Sequence, residues 1–190
     1  MWSSEVTNMI ITGIWETLYM TLVSTLVGYV IGLPMGIILT VSDKDGIKPN
    51  AVLYKILDVI ANIVRSVPFI ILLVLLIPFT RLVVGKSYGS TATIVPLVIA
   101  AAPYIARMVE SSLKEVDAGV IEAARSMGAS NFTIITKVML VEARTSLLVG
   151  ATITLGTILG YSAMSGAVGG GGLGAIAIRY GYTRWNETGR

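Results

Sequence analysis

The chain has 190 residues, of which 54% are hydrophobic and only 13% charged, with a formal net charge of +3, whereas soluble domains carry about a quarter charged residues. With a mean hydropathy of +0.80, this balance excludes an ordinary soluble domain and indicates an integral membrane protein, and the scattered basic residues form no patch for nucleic acid. There is no cysteine and no histidine, so disulfides, thiolate chemistry and histidine metal ligation are excluded, and no catalytic residue, cofactor or metal site is expected.

Residues 1–13 are a mixed segment with Glu5 as the one charge, and the first 42 residues hold no lysine or arginine, so a cleaved signal peptide with a basic start is not expected. From Thr17 to Ser42 the chain is uncharged, and about twenty apolar residues span a bilayer. Trp15 and Tyr19 suit an interfacial aromatic belt at its start. Gly28, Gly32 and Gly36 fall every four residues and so on one helix face, where another helix can approach closely. Packing is favoured over substrate binding for this strip, and a second copy of the chain is one candidate partner.

Ser42 to Gly46 reads as a turn, and Pro49-Asn50 opens a new helix. It begins amphipathically, with Lys55 and Asp58 among Leu53, Ile56, Leu57 and Ile60, and is wholly apolar from Ser66 to Pro78. Fifteen residues from Ser66 to Thr80 are too few alone, so part of the amphipathic lead-in is expected to complete the second span. Pro68 and Pro78 mark candidate bends. Arg65 is expected to snorkel to headgroups or to pair with a carboxylate. Gly85-Lys86-Ser87 in the next loop mimics the tail of a phosphate-binding loop, but Thr80 stands where that motif needs glycine. Span three covers about Ser90 to Ile105, interrupted by Pro96 and Pro103. Arg107 and Glu110 come next, at a three-residue spacing that suits an ion pair.

A polar insert, about 107–144, separates this span from the next. Asp117 is a good N-cap for a short helix, and Val120, Ile121, Ala124 and Met127 recur at helical spacing to give an apolar face. Gly128 can take the left-handed conformation that stops a helix, and Ser130 and Asn131 can each cap the next segment. An amphipathic helix held between two spans suits docking into a partner's groove, although a plain solvated loop would read similarly. The uncharged run of 34 residues from Thr145 to Ile178 contains a fourth span, about Ser146 to Ser165. After it comes an irregular segment around Gly169-Gly170-Gly171-Gly172 and Gly174. Its glycine spacing is no dinucleotide-binding motif, because no strand precedes it. Irregular backbone at membrane depth survives only beside protein or a water cavity, which makes Gly169 and Gly170 candidates for the outer mouth of a pathway. Tyr161 and Met164, three residues apart just before them, are candidate gate residues.

Glu122-Ala123-Ala124, then Gly128 after three residues and Val138-Met139-Leu140 after nine more, resemble the EAA loop of ABC importer permeases. One position departs, since Val141 stands where the family usually carries proline. The resemblance implies an all-α integral membrane protein, a type I importer transmembrane domain with four spans and a cytoplasmic coupling helix in a single permease domain. It also implies that Glu122, Ala123, Ala124, Gly128, Val138 and Leu140 couple the chain to a separate ATPase. Arg65-Ser66-Val67-Pro68 looks like the family's arginine-to-proline element. Together with Ile77 to Arg81 and Gly160 to Met164, it resembles the methionine importer permeases in particular, over about Trp15 to Tyr182. That resemblance implies two copies of the chain, two cytoplasmic ATPase subunits, and an extracytoplasmic binding protein that delivers D- or L-methionine. A fifth span, usual in the family, is not expected from Trp185 to Arg190, which contain no apolar run.

Basic residues set the orientation. Lys44, Lys48, Lys55, Arg65, Arg107, Lys114, Arg125, Lys137 and Arg144 flank the first and third loops, against Arg81, Lys86, Arg179, Arg184 and Arg190 elsewhere. The positive-inside rule therefore puts the insert in the cytoplasm and the N-terminus outside a bacterial inner membrane. A permease for another amino acid is the alternative, and a secondary transporter the less favoured one, because no carboxylate is expected well inside a span.

Overall fold

The computed structural model describes residues 4–183, so Arg184 and the tail from Trp185 to Arg190 lie outside the described residues. Among the described residues every regular element is helical. Three helices are long and apolar enough to cross a membrane, or four if one bent pair counts as a single span, in agreement with the four expected.

Helix α1, Ser4–Ser42, has 39 residues and runs about 58 Å at 1.5 Å per residue. It begins well before Thr17, so Glu16 lies inside the helix and not ahead of it. Helix α2, Ala51–Ser66, is succeeded after Val67-Pro68 by α3, Phe69–Leu75, and α4, Ile77–Val84. The bent pair is α2 with α3, broken where Pro68 is expected to bend the chain. Pro78 sits in the first turn of α4, a position where its missing N–H costs nothing. Helix α5, Ser90–Lys114, runs unbroken through Pro96 and Pro103, which corrects the expected interruption. Each proline removes one ladder bond. Ala92, Ala100, Ala101, Ala102 and Ala106 of the same helix are buried, so the turns around both prolines are closely packed. The helix also passes Ile105 and carries Arg107, Glu110 and Lys114 on its last turns.

Short helices come next: α6, Ala118–Ser126, then α7, Asn131–Thr133, a π-helical stretch Ile134–Met139, and α8, Leu140–Glu142. Helix α9, Arg144–Ser165, ends in a 3-10 turn, Gly166–Val168, before α10, Gly172–Ile176, and a second π-helical stretch, Ala177–Thr183.

The chain folds as two compact units. The first takes residues up to Val27, Val67–Ala101 and the chain from Leu155 onward. Its centre is made of small and hydroxylated side chains with a few large ones: Met20, Leu97, Ile158, Ser162 and Ser165 are almost wholly buried. Thr17 and Ser165 donate to backbone carbonyls of Gly13 and Ser162 at 2.8 and 2.6 Å, which meets their polarity without water.

The second unit takes Gly28–Ser66 and Ala102–Thr154. Its core gathers Leu39, Ile105, Val109, Leu113, Ile134 and Met139. The glycine strip of α1 is used here. A Cβ at Gly32 would stand 2.6 Å from the Ala102 carbonyl oxygen, and one at Gly36 would stand 2.6 Å from that of Ala106. These two glycines therefore pack against α5 of their own chain and are not free for a second copy, which corrects that expectation. In α2 the only buried residue is Ala61. Its apolar residues Val52, Ile56, Val59, Ile60 and Ile63 are exposed.

Candidate functional site

Helix α6 starts and stops as its sequence dictates. Asp117 caps it, with Oδ1 accepting from the Gly119 N–H at 2.7 Å. Gly128 adopts φ +80°, and its N–H donates to the Arg125 carbonyl at 3.0 Å. A left-handed glycine closes the helix where a side chain would be strained. Of the two cap candidates for α7, Ser130 serves, accepting from the Thr133 N–H at 3.2 Å.

The apolar residues of α6 divide by depth. Ala124 is 5% exposed and anchors the helix, while Val120 is exposed and Met127 is 82% exposed. Ile121 is half-buried, and Glu122 and Ala123 face outward. Val138 and Leu140 are half-buried on either side of buried Met139. Phe132 is 75% exposed and belongs with Val120 and Met127 as an outward apolar group. Its aromatic ring just past the helix stop is the sequence signal that could have found it. Arg125 ties α6 to the loop after α1, donating to the Ile47 carbonyl at 3.1 Å. A cleft of about 790 Å³ is lined by that loop and α6, with Asp43, Lys114, Glu122 and Arg125 on its walls.

Beside this cleft lies a set of charges. Arg107 pairs with Glu110 at 2.7 Å, as its spacing predicts, and with Asp58 of α2. Lys114 pairs with Glu110 at 2.8 Å and Asp43 at 2.7 Å. The hydrogen bond from Lys114 holds the Asp43 carboxyl below the usual carboxylate range. Arg65 is exposed and has its guanidinium 6.0 Å from the centre of the Tyr104 ring, a cation–π placement.

The gate candidates lie in the first unit. Tyr161 stacks flat on Phe69, with centroids 4.5 Å apart and planes 4° apart, and Met164 is 49% exposed. The backbone after them is irregular at Gly169, Gly170 and Gly171, as expected, and it makes a tight reversal. Gly169 has φ +81°, and its carbonyl accepts from the Gly89 N–H at 2.9 Å. Gly170 is buried, with a would-be Cβ 2.5 Å from Ser165 Oγ and 2.7 Å from Thr93 Oγ1. At Gly174 a Cβ would collide with the Ala163 carbonyl oxygen, so α10 folds back directly onto the end of α9. Glu16, which reads from sequence as lying before the span, closes the reversal. Its Oε2 accepts from the Gly172 N–H at 2.6 Å, while Thr17 Oγ1 accepts from the Leu173 N–H at 2.9 Å. This carboxylate inside α1 thus accepts from the backbone N–H of Gly172.

Comparison with known proteins bears on both units. The model of a family described as binding-protein-dependent transport system inner membrane component matches residues 28–184. The probable D-methionine transport system permease protein MetI of Vibrio cholerae is 49% identical over 187 residues, covering 98% of this chain and 83% of that protein. The D-methionine transport system permease protein MetI of Escherichia coli K12 is 56% identical over 158 residues, covering 83% of this chain and 73% of the relative. A chain from inward-facing crystals of the MetNI methionine ABC transporter superposes with a TM-score of 0.95 at 54% identity, covering 98% of this chain and 87% of that one. A chain of an amino acid ABC transporter crystallised with histidines gives 0.75 at 23% identity over 95% of this chain and 81% of its own, a likeness of fold alone.

Proposed function

This chain belongs to the family of binding-protein-dependent transport system inner membrane components, and from that premise we propose that it forms the membrane pathway of an ATP-driven methionine importer. The relatives named as D-methionine permeases, at 49% and 56% identity, support the substrate, in either the D or L form. Hydrolysis of ATP falls to a separate subunit, a reading supported by the likeness to a chain of the MetNI methionine ABC transporter. Two copies of this single permease domain, two cytoplasmic ATPase subunits and an extracytoplasmic binding protein complete the assembly in the bacterial inner membrane. The N-terminus lies outside.

One observation carries the reading. Helix α6 is a short, capped helix that keeps Ala124 buried while Val120 and Met127, with Phe132 just beyond, face outward, the form in which a helix enters a partner's groove. Ala123 and Glu122 are exposed as well, the latter on the wall of the cleft, and Gly128 fixes where the helix ends. Val138 and Leu140 seat the return segment. Solute passes Tyr161 and Met164, with the reversal at Gly169 and Gly170 closing the outer side. A polarizable thioether suits a path lined in part by methionine.

The test is uptake of labelled methionine into proteoliposomes containing the chain, its ATPase and its binding protein. Uptake should require ATP and both partners. Uptake with the chain alone would instead indicate a secondary transporter, and ATP-driven uptake of another amino acid would move the substrate. In the cysteine-free chain, Met164→Cys should react with an external water-soluble thiol reagent to an extent that changes with ATP. Equal labelling in every state removes Met164 from the gate.

A further inference from the structure

Glu110 is 5% exposed, yet it is a carboxylate near the end of a long apolar helix. Burying it is costly unless every oxygen is paired. Its Oε2 accepts from Arg107 at 2.7 Å, and its Oε1 accepts from Lys114 at 2.8 Å and from the Tyr54 hydroxyl at 3.3 Å. Arg107 reaches on to Asp58 and to Asn62 Oδ1, the latter at 3.0 Å. Lys114 reaches Asp43 at 2.7 Å, and the loop that Asp43 begins accepts from Arg125 of α6 through the Ile47 carbonyl. A continuous line of polar contacts therefore runs from α6 through that loop, Lys114, Glu110 and Arg107 to α2.

The packing of α2 gives this line its importance. Helix α2 turns Tyr54, Asp58 and Asn62 toward α5, leaves its isoleucine and valine face exposed, and buries only Ala61. Apolar interlocking hardly fixes it against α5, so the charges do. Of these groups Glu110 is buried, Arg107 is half-buried and Lys114 is exposed, so Glu110 is the one that tolerates few arrangements, because an unpaired alternative leaves it a desolvated ion.

We propose that Glu110 is a positioning residue for energy coupling: as the hub of this line it holds α2 to the seat of α6, so that a movement of α6 is passed to α2. The proposal rests on the reading of α6 as the helix that docks the ATPase. In the assembled transporter in proteoliposomes, methionine uptake and ATP hydrolysis are measured together for Glu110→Gln, Lys114→Met and Lys114→Arg. Glu110→Gln and Lys114→Met should keep binding-protein-stimulated hydrolysis and lose uptake per ATP by about tenfold, while Lys114→Arg, which keeps the charge, restores most of the ratio. Equal loss of hydrolysis and uptake would reduce Glu110 to a folding role, and an unchanged ratio in every variant would remove it from coupling. If Glu110→Gln does not assemble, Lys114→Met and Tyr54→Phe decide on the same ratio. Wild-type protein without ATP-driven uptake would instead overturn the reading of α6, which separates the two failures.

Discussion

The contact between α1 and α5 makes a quantitative prediction. An alanine methyl at Gly32 would lie 2.6 Å from the Ala102 carbonyl oxygen and 2.8 Å from Ile105, and one at Gly36 would lie 2.6 Å from the Ala106 oxygen and 2.7 Å from Val109. Relaxed carbon contacts lie at about 3.5–4.0 Å, so α1 and α5 must separate by about 1 Å, because the opposing atoms are backbone or Cβ. Overpacking of this kind costs about 1–3 kcal/mol at each site. Alanine's better helix propensity returns about 1 kcal/mol, leaving about 1 kcal/mol net per site and about 2 kcal/mol for Gly32→Ala with Gly36→Ala. Gly156 of α9 is the control, since nothing lies within 4 Å of its would-be Cβ. There only propensity acts, so Gly156→Ala should be neutral or stabilising by up to about 1 kcal/mol. Equilibrium unfolding in mixed micelles reads all three proteins. Opposite signs for the double variant and the control are expected. A double variant as stable as wild type would refute the close approach.

Other contacts yield three further outcomes. Gly128→Val should still insert but lose ATP-driven uptake, because φ +80° with open space around it leaves only a backbone strain of about 1–2 kcal/mol. Normal uptake by this variant would falsify the assignment of the loop. Glu16→Gln should weaken the hold on α10 by about 1 kcal/mol, read as faster hydrogen exchange at Gly172 and Leu173. Unchanged exchange would mean the carboxylate does not secure the reversal. Asp43 is held below its ordinary pKa by Lys114, so its stabilising contribution is complete above about pH 4 and is lost as pH falls through the lower folded value. The unfolding midpoint of wild type should drop across that acid window relative to Asp43→Asn, and parallel curves would show that the pair contributes nothing.

Much of α6 is legible in the sequence because its determinants are local. Asp117, Gly128 and Ser130 each act on backbone groups within three residues, and all three hold the positions their chemistry requires. The break at Val67-Pro68 is legible for the same reason. Features that depend on distant partners are not. Glu16 looks like a boundary because a charge inside an apolar helix lacks water, yet its partner N–H is supplied 156 residues away. The irregular backbone of the glycine run is legible, but its close packing is not: Gly166 and Gly174 admit the Ala175 nitrogen and the Ala163 carbonyl. Spacing of Gly32 and Gly36 reveals a face but cannot say that α5 fills it. Pro96 and Pro103 look like interruptions because propensity ignores the packing that carries α5 past them.

If α6 is the point at which a separate ATPase grips this chain, a crosslink from its outward side must reach that subunit. Because the sequence has no cysteine, Ala123→Cys on the outward side of α6 is a unique crosslinking site, and Val52→Cys on the exposed face of α2 is the matched control. With the assembled transporter and a short thiol-to-amine crosslinker, position 123 should join to the ATPase subunit and position 52 should not. An intact complex in which position 123 never reaches the ATPase, or reaches it no more than position 52 does, would contradict the account.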